Sequence, residues 1–140
     1  MSFETKLLSR ASAPGKVILA GEHAVVYGQP ALAVPVWQVT ASCTIETAPV
    51  GSGCALALPD VGEAVTLSGP LAASETNAQS AVQPLAHVAR AALAQAGRTT
   101  LPDWQITLSS AIPIAGGLGS GAALSTALVL SCLLYTSRCV

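Results

Sequence analysis

The stretch "PIAGGLGSGAALS" (residues 113–125) decides the fold prediction for this chain. It follows "DWQITLSS", whose alternating apolar residues predict a β-strand, and it runs into an apolar segment that predicts a helix from about Ser120 to Leu134. Glycines let the backbone of such a strand–loop–helix unit approach an anion closely, and the helix N-terminus adds partial positive charge. The unit therefore favours a phosphate-binding loop, with a tight turn that holds no ligand as the alternative.

Two well-known phosphate-binding motifs do not fit this loop. A P-loop requires a lysine in G-x-x-x-x-G-K-[ST], and no lysine follows the glycines here. A dinucleotide-binding fingerprint requires G-x-G-x-x-G in the first turn of a βαβ unit, with an acidic residue about 20 residues further on. "GLGSGA" matches that pattern poorly, comes late in the chain and has no acidic residue after it.

Composition indicates one ordered domain and excludes several partners. The chain has 140 residues, of which 51% are hydrophobic and 9% charged, and this is enough for a core of its own. The net charge of −1 argues against binding to nucleic acid or to an anionic membrane through overall electrostatic attraction. The apolar run at residues 122–135 contains serine and threonine and is shorter than the roughly 20 residues of a membrane span.

The ends and the cysteines point to a cytoplasmic protein. "MSFETKLLSR" at the start lacks the long apolar core of a secretory signal. The four cysteines, at positions 43, 54, 132 and 139, have no C-x-x-C spacing and no partner histidines. We therefore expect reduced thiols rather than disulfides or a zinc site.

The first half of the chain alternates strand patterns with turn signals. Strands are expected at residues 17–19 (short and buried), 31–47, 54–59 and within "EAVTLSG" at 63–69. Turns are expected at "APG" (13–15), at "YGQP" (27–30) and at "APVGSG" (48–53), the last as a hairpin connection. Pro35 should lie near the start of its strand or at a sheet edge.

The second half changes to a helical pattern. Apolar residues across 76–97 recur with helical spacing, and Gly97 is a natural stop. Pro84 lies inside this pattern, so we expect the helix to begin nearer Val82 with Pro84 in its first turn. With the strand and helix around the glycine loop, the order of elements predicts an α+β fold, β-rich in its first half, with helices packed on one face of the sheet.

A second motif gives the loop a context. "SAPGKVILAGEHAVVYGQPALA" (residues 12–33) and "PIAGGLGSGAA" together resemble the two N-terminal motifs of the GHMP kinases, in which P-x-x-x-G-L-G-S-S-A-A is the ATP phosphate loop. The resemblance covers about residues 8–130 and implies the N-terminal domain of that family, which is ribosomal protein S5 domain 2-like. "GEHAVVYG" is most similar to the mevalonate kinases of the family, because galactokinases carry Asp where Val25 stands and phosphomevalonate kinases usually carry Tyr where His23 stands.

The resemblance implies a small-molecule kinase that uses ATP and Mg²⁺, with mevalonate as the substrate. It implies that Lys16 is catalytic and reaches the phosphoryl-transfer centre, and that Lys16, Glu22 and His23 contact the substrate. It also implies that Asp60 lies near the nucleotide. The nucleotide-binding positions it implies are Ser110, Ala115, Gly116, Gly117, Leu118, Gly119, Ser120 and Gly121.

The sequence departs from the family pattern in two ways. Gly121 stands where the family usually has a serine whose hydroxyl serves Mg²⁺, so no metal ligand can be assigned here. The catalytic Asp, the acidic Mg²⁺ ligand and the third glycine motif would lie beyond residue 140. We therefore expect residues 1–131 to be a truncated ATP-binding domain without the family's C-terminal domain, and residues 132–140 to be a tail outside the resemblance.

The truncation has consequences for activity and for the surface. We expect negligible turnover from this chain alone, exposed apolar surface that promotes self-association, and a homodimer for the full-length protein. Two other functions remain open. One is a GHMP kinase acting on phosphomevalonate or a sugar, and the other is a non-catalytic module that binds a nucleotide or an anion.

Overall fold

The computed structural model describes residues 4–73, 80–113 and 116–137. Five strands form one sheet in the order β1-β2-β5-β3-β4. The strands are β1 (Leu7–Ala20), β2 (Leu32–Thr47), β3 (Cys54–Leu58), β4 (Glu63–Leu67) and β5 (Trp104–Ser110). Two helices, α1 (Val82–Gln95) and α2 (Ser120–Ser137), complete the domain. Neighbouring strands are antiparallel, except that β3 and β5 run parallel.

One face of the sheet carries the core. Every second residue of β3, of β5 and of the second half of β2 is buried, while the residues between them are only half-buried. The buried positions are Ala41, Cys43, Ile45, Cys54, Leu56, Leu58, Trp104, Ile106 and Leu108. Both helices pack on this face, so the predicted α+β arrangement is confirmed.

Helix α2 is the central element of the core. Its buried residues recur at helical spacing and form one stripe along the helix: Ala123, Leu124, Ala127, Leu128, Ser131 and Cys132. The buried Ser131 hydroxyl donates to the carbonyl oxygen of Cys43 (3.1 Å), and the Ser9 hydroxyl donates to the carbonyl oxygen of Ser131 (2.9 Å). These two bonds tie α2 to β2 and β1, so the direction of α2 is fixed relative to the sheet.

The expected hairpin at residues 48–53 is wrong. β5 lies between β2 and β3, so the strands on either side of this connection do not pair. The connection is instead tied to the start of β5, where the Asp103 carboxylate accepts from the N–H groups of Gly51 (2.9 Å) and Gly53 (2.8 Å). The turn residues indicate a reversal of direction, but they do not specify which strand becomes the neighbour.

The expected break at residues 13–15 is also wrong, because β1 is one continuous strand of 14 residues. Pro14 pairs with Thr40, while Gly15 pairs with Val36, so β2 carries a bulge opposite the proline. The short strand at 17–19 is the end of β1 and is not buried, since Leu19 is 59% exposed.

Other local predictions are confirmed. Pro35 lies in the half of β2 that pairs with β1 alone, and α1 begins at Val82 with Pro84 in its first turn. β3 ends at Leu58, and Pro59 begins a 3₁₀ turn (Pro59–Val61). Residues 76–79 of the predicted helical stretch lie outside the described residues.

Helix α2 runs past the predicted end at Leu134 to Ser137. The Thr136 hydroxyl donates to the carbonyl oxygens of Cys132 (3.1 Å) and Leu133 (3.0 Å), so this polar side chain is accommodated within the last turn instead of ending the helix. Within the described ranges, no helix is both long and apolar enough to cross a membrane.

Candidate phosphate-binding site

The glycine loop leaves the end of β5 and leads into the first turn of α2. Gly117 and Gly119 both have φ of +70°, a left-handed conformation that side chains of L-residues disfavour. The first helical bond runs from the N–H of Ala123 to the carbonyl oxygen of Gly119 (3.0 Å). The preceding N–H groups of α2, from Ser120 to Ala122, therefore have no intrahelical acceptor and are available to a ligand. The predicted position Ala115 lies outside the described residues.

Lys16 lies directly beneath this loop. Its backbone N–H donates to the carbonyl oxygen of Leu118 (2.9 Å). A β-carbon on Gly119 would approach Cγ of Lys16 to 3.0 Å, and one on Gly15 would approach the carbonyl oxygen of Leu118 to 3.2 Å. The loop and β1 therefore meet closely because glycine occupies both positions.

A pocket of about 360 Å³ opens beside Lys16. Its walls are the middle of β1, the start of β2 and the first turns of α2, and its lining residues include Ala33, Val34, Pro35, Gly119 and Thr126. The lining is largely apolar, and among the described residues Lys16 supplies its one charge. Sequence reasoning missed Thr126 as a lining residue, although its spacing of four from Ala122 puts both on the same face of α2.

Two further cavities lie on the other side of the first turn of α2. The larger cavity, about 400 Å³, is lined by Ser120, Gly121 and Ser125. Apolar side chains from the end of β3, from the 3₁₀ turn after it and from α1 complete the lining. Those apolar residues are Leu58, Val61, Pro84 and Leu85. They come from segments distant in the sequence, so no local pattern predicts them.

The smaller cavity, about 50 Å³, lies between Asp60, Ser110 and Ser120. The Asp60 carboxylate accepts from the backbone N–H of Ser110 (2.6 Å), and the Ser110 hydroxyl accepts from the N–H of Ile112 (3.1 Å). The structure therefore brings Asp60, Ser110 and the head of α2 together.

Glu22 and His23 lie apart from this assembly. They follow Gly21 at the start of a 3₁₀ turn (Ala24–Tyr27), and both are exposed. Gly21 has φ of +85°, and a β-carbon there would lie 2.5 Å from the carbonyl oxygen of Pro30, so this turn requires glycine. Neither Glu22 nor His23 lines the pocket beside Lys16.

The described residues offer little for direct metal ligation. None of them form a group of three or more His, Cys, Asp or Glu side chains that could hold a metal ion. A β-carbon at Gly121 would meet no atom within 4 Å, and its backbone is not left-handed. A serine would fit at this position, so glycine is not required there by the fold.

Comparisons with known proteins find a matching family model, curated relatives and solved structures. Residues 83–137 match the family model of the GHMP kinases N terminal domain. The chain is similar to the GHMP kinases, and its fold is that of their N-terminal domain.

Curated relatives of the chain are named mevalonate kinase. The chain is 34% identical over 125 residues to the mevalonate kinase of Pyrococcus furiosus and 36% identical over 124 residues to that of Aeropyrum pernix. These alignments cover 85% and 88% of this chain but 36% of each relative. The crystal structure of Methanococcus jannaschii mevalonate kinase superposes with a TM-score of 0.71 at 26% identity, over 88% of this chain and 38% of that one. The chain thus spans little more than a third of the length of the proteins it matches.

Proposed function

We propose that this chain is the N-terminal, ATP-binding part of a kinase that transfers the terminal phosphoryl group of ATP to a hydroxyl of mevalonate. The observation that carries the proposal is the glycine loop, which passes over Lys16 and opens onto the first turn of α2. The names of its relatives support the choice of mevalonate.

The residues of the glycine loop are suited to binding the phosphate groups of ATP. Backbone N–H groups of residues 116–121 would bind the phosphate oxygens, and the N-terminus of α2 contributes partial positive charge. The Ser120 hydroxyl can add one donor. A side chain at Gly119 would crowd Lys16 and strain the left-handed backbone, so glycine is favoured here and this part of the loop presents bare backbone to the ligand.

Lys16 is the residue that we assign to phosphoryl transfer. Its side chain lies against Gly119 and lines the pocket of about 360 Å³, so its ammonium group can reach a ligand held by the loop. Charge that develops on a transferring phosphoryl group is stabilised by a fixed cation. The pocket is large enough for a small alcohol substrate.

Magnesium, when bound with the nucleotide, would neutralise part of the phosphate charge. From this chain, Ser120 could offer a hydroxyl ligand, while Gly121 offers none. Mg²⁺ commonly keeps several waters, so water and phosphate oxygens can fill the remaining positions.

Glu22 and His23 are the residues that we propose to contact the substrate, although they do not line the pocket beside Lys16. Both project from an exposed turn, where a carboxylate and an imidazole can hydrogen-bond hydroxyl groups of a ligand. His23 and Val25 favour mevalonate over phosphomevalonate and galactose. The pocket beside Lys16 contains no carboxylate among its described lining residues, so none of these residues is a carboxylate base that could accept the hydroxyl proton.

A coupled assay of ADP release tests this function. We expect the protein that contains this chain at the full length of its relatives to phosphorylate mevalonate at least 10-fold more efficiently than phosphomevalonate or galactose, by kcat/KM. We expect the 140-residue chain to bind ATP without turnover. If another alcohol is preferred, that alcohol replaces mevalonate as the proposed substrate. Turnover by the 140-residue chain would contradict our expectation that it is inactive without a general base.

A substitution at Lys16 tests its assigned role. Lys16→Met should lower kcat of the full-length protein by about 10²-fold or more, with a smaller effect on the Kd for ATP. Lys6→Met is the matched control, because Lys6 is exposed and remote from the loop. Equal kcat values for the two variants would remove Lys16 from the mechanism.

A further inference from the structure

A separate pocket of about 580 Å³ lies between the segment after β4 and the outer face of α1. One wall is residues 70–73, and the other is formed by α1 and the residues just after it. It shares no lining residue with the three cavities around the glycine loop. Its volume falls within the range of small-molecule sites.

Arg90 forms the base of this pocket and is held rigidly. It is only 4% exposed. Its Nη1 donates to the carbonyl oxygen of Pro70 (2.8 Å) and its Nη2 to that of Ser68 (2.8 Å). A guanidinium group has five N–H donors, and these bonds use two of them. Arg90 therefore fixes the 70–73 wall and brings a buried positive charge to the pocket.

Arg98 supplies a second oriented cation. Its guanidinium carbon lies 4.8 Å from the centre of the Trp104 ring and 5.9 Å from that of Tyr135. These two rings are themselves in edge-to-face contact at 5.0 Å. Stacking on Trp104 holds the guanidinium plane in place. Its Nε is buried away from the pocket, while the residue as a whole is half-buried and lines the pocket, so its terminal N–H groups are the donors that a ligand can reach.

The rest of the described lining is mostly apolar, with His87 and Thr99 as its other polar residues. Leu71, Ala72, Ala91 and Ala94 form a surface beside the two arginines, and the described lining contains no acidic residue. An inorganic ion would satisfy the cations but would leave this apolar surface in contact with water. An anion attached to a small apolar group would satisfy both parts.

We propose that this pocket binds a small organic anion, a carboxylate or a phosphate monoester that carries a short apolar group. The oxyanion lies between Arg90 and Arg98, and the apolar group lies against Leu71 and the alanines of α1. The site is independent of the phosphate loop and does not rest on the kinase assignment.

Isothermal titration calorimetry of the 140-residue chain with hexyl phosphate, hexanoate, inorganic phosphate and hexanol tests this site. We expect hexyl phosphate or hexanoate to bind at least 10-fold more tightly than inorganic phosphate, and hexanol to show no binding. The stronger of the two organic anions then identifies the preferred head group. Equal affinity for hexyl phosphate, hexanoate and inorganic phosphate would overturn the proposal by reducing the site to one for an adventitious ion only.

Variants locate the binding. Arg98→Gln should lower the affinity for the preferred organic anion about 10-fold or more, because it removes a charged hydrogen-bond donor. Arg10→Gln, at an exposed arginine of β1, is the charge-matched control. Since Arg90 variants could release the 70–73 wall, Ala94→Phe is the second variant; it fills the pocket without changing any charge. Binding that survives both Arg98→Gln and Ala94→Phe would overturn the proposal. Binding that is lost only in Gly119→Ala would also overturn it, because the anion would then bind at the glycine loop.

Discussion

The backbone N–H of Lys16 donates to the carbonyl oxygen of Leu118, so the two sequence motifs of this chain meet in one hydrogen bond of 2.9 Å. The bond holds the glycine loop against β1 and leaves the Lys16 side chain along its edge. The same contact limits substitution in the loop, because a β-carbon at Gly15 or Gly119 would require the neighbouring atoms to shift.

Gly119→Ala should weaken ATP binding by the 140-residue chain at least 10-fold. The added β-carbon would lie 3.0 Å from Cγ of Lys16, and a left-handed backbone costs an alanine about 1–2 kcal/mol. Both effects move the loop or Lys16 away from the phosphates. Calorimetric titration with ATP measures the change.

Gly51→Ala is the matched control for this variant. Gly51 has φ of +82°, but a β-carbon added there would have no neighbour within 4 Å, so the substitution carries the same backbone strain without the contact. It should lose stability and retain ATP affinity. Comparable losses of affinity in both variants would mean that a general loss of stability, and not a change in the glycine loop, explains the effect.

Gly121→Ser should stabilise the domain and strengthen the Mg²⁺ dependence of ATP binding. The position lies in the first turn of α2 with open space around it, and replacing a helical glycine should raise the free energy of unfolding by about 0.5 kcal/mol. The hydroxyl would also offer Mg²⁺ a ligand. The Mg²⁺ concentration at half-maximal ATP binding should therefore fall.

Gly121→Ala separates these two effects, because it stabilises the helix without adding a hydroxyl. It should leave the Mg²⁺ midpoint unchanged. If the alanine and serine variants shift that midpoint equally, the hydroxyl at position 121 does not reach the metal.

The loop was predictable from sequence because its properties are local. Glycine at 117 and 119, an apolar stretch after Ser120 and a strand before it are sufficient to indicate a phosphate-binding turn. The neighbours of the loop were not predictable in this way. The hairpin prediction at residues 48–53 failed because β5 inserts between β2 and β3, a pairing set by the whole buried face of the sheet. Leu58 and Pro84 reach the head of α2 only through that arrangement.

The stability of α1 should depend on pH through Glu63. Its carboxylate accepts from the Ser80 hydroxyl (2.6 Å) and from the N–H groups of Ala81 (3.3 Å) and Val82 (3.2 Å). These bonds, the one from Ser80 above all, hold the pKa of Glu63 below its ordinary value. The ionised form therefore stabilises the folded state above the unfolded pKa of about 4.3, and this contribution is lost as pH falls through the lower, folded pKa.

Glu63→Gln should lower the Tm at pH 7, and the difference from the unaltered chain should shrink as the pH falls below about 4.3. Thermal unfolding followed by circular dichroism across this range measures it. Glu4→Gln, at an exposed glutamate near the start of the chain, should show no such difference. A Tm difference for Glu63→Gln that is constant with pH would exclude ionisation of Glu63 as the cause.

The buried thiols should be unreactive in the folded protein. Cys43, Cys54 and Cys132 are free and buried. Burial raises the pKa of Cys43 to about 11, and those of Cys54 and Cys132 to about 12. In a Cys139→Ser variant at pH 8, an aromatic disulfide reagent should react about 10²-fold more slowly with the native chain than with the unfolded one. Immediate reaction of any thiol would show that the interface between the sheet and α2 is open to the reagent.

Binding of nucleotide phosphates at the head of α2 is the central claim, and amide NMR of the labelled 140-residue chain tests it most directly. On addition of ATP with Mg²⁺, the amides of residues 116–121 should shift most, and adenosine at the same concentration should leave them unchanged. Gly119→Ala should reduce these shifts. Unperturbed loop amides at saturating ATP, or equal shifts with adenosine, would contradict a phosphate-binding role for the loop.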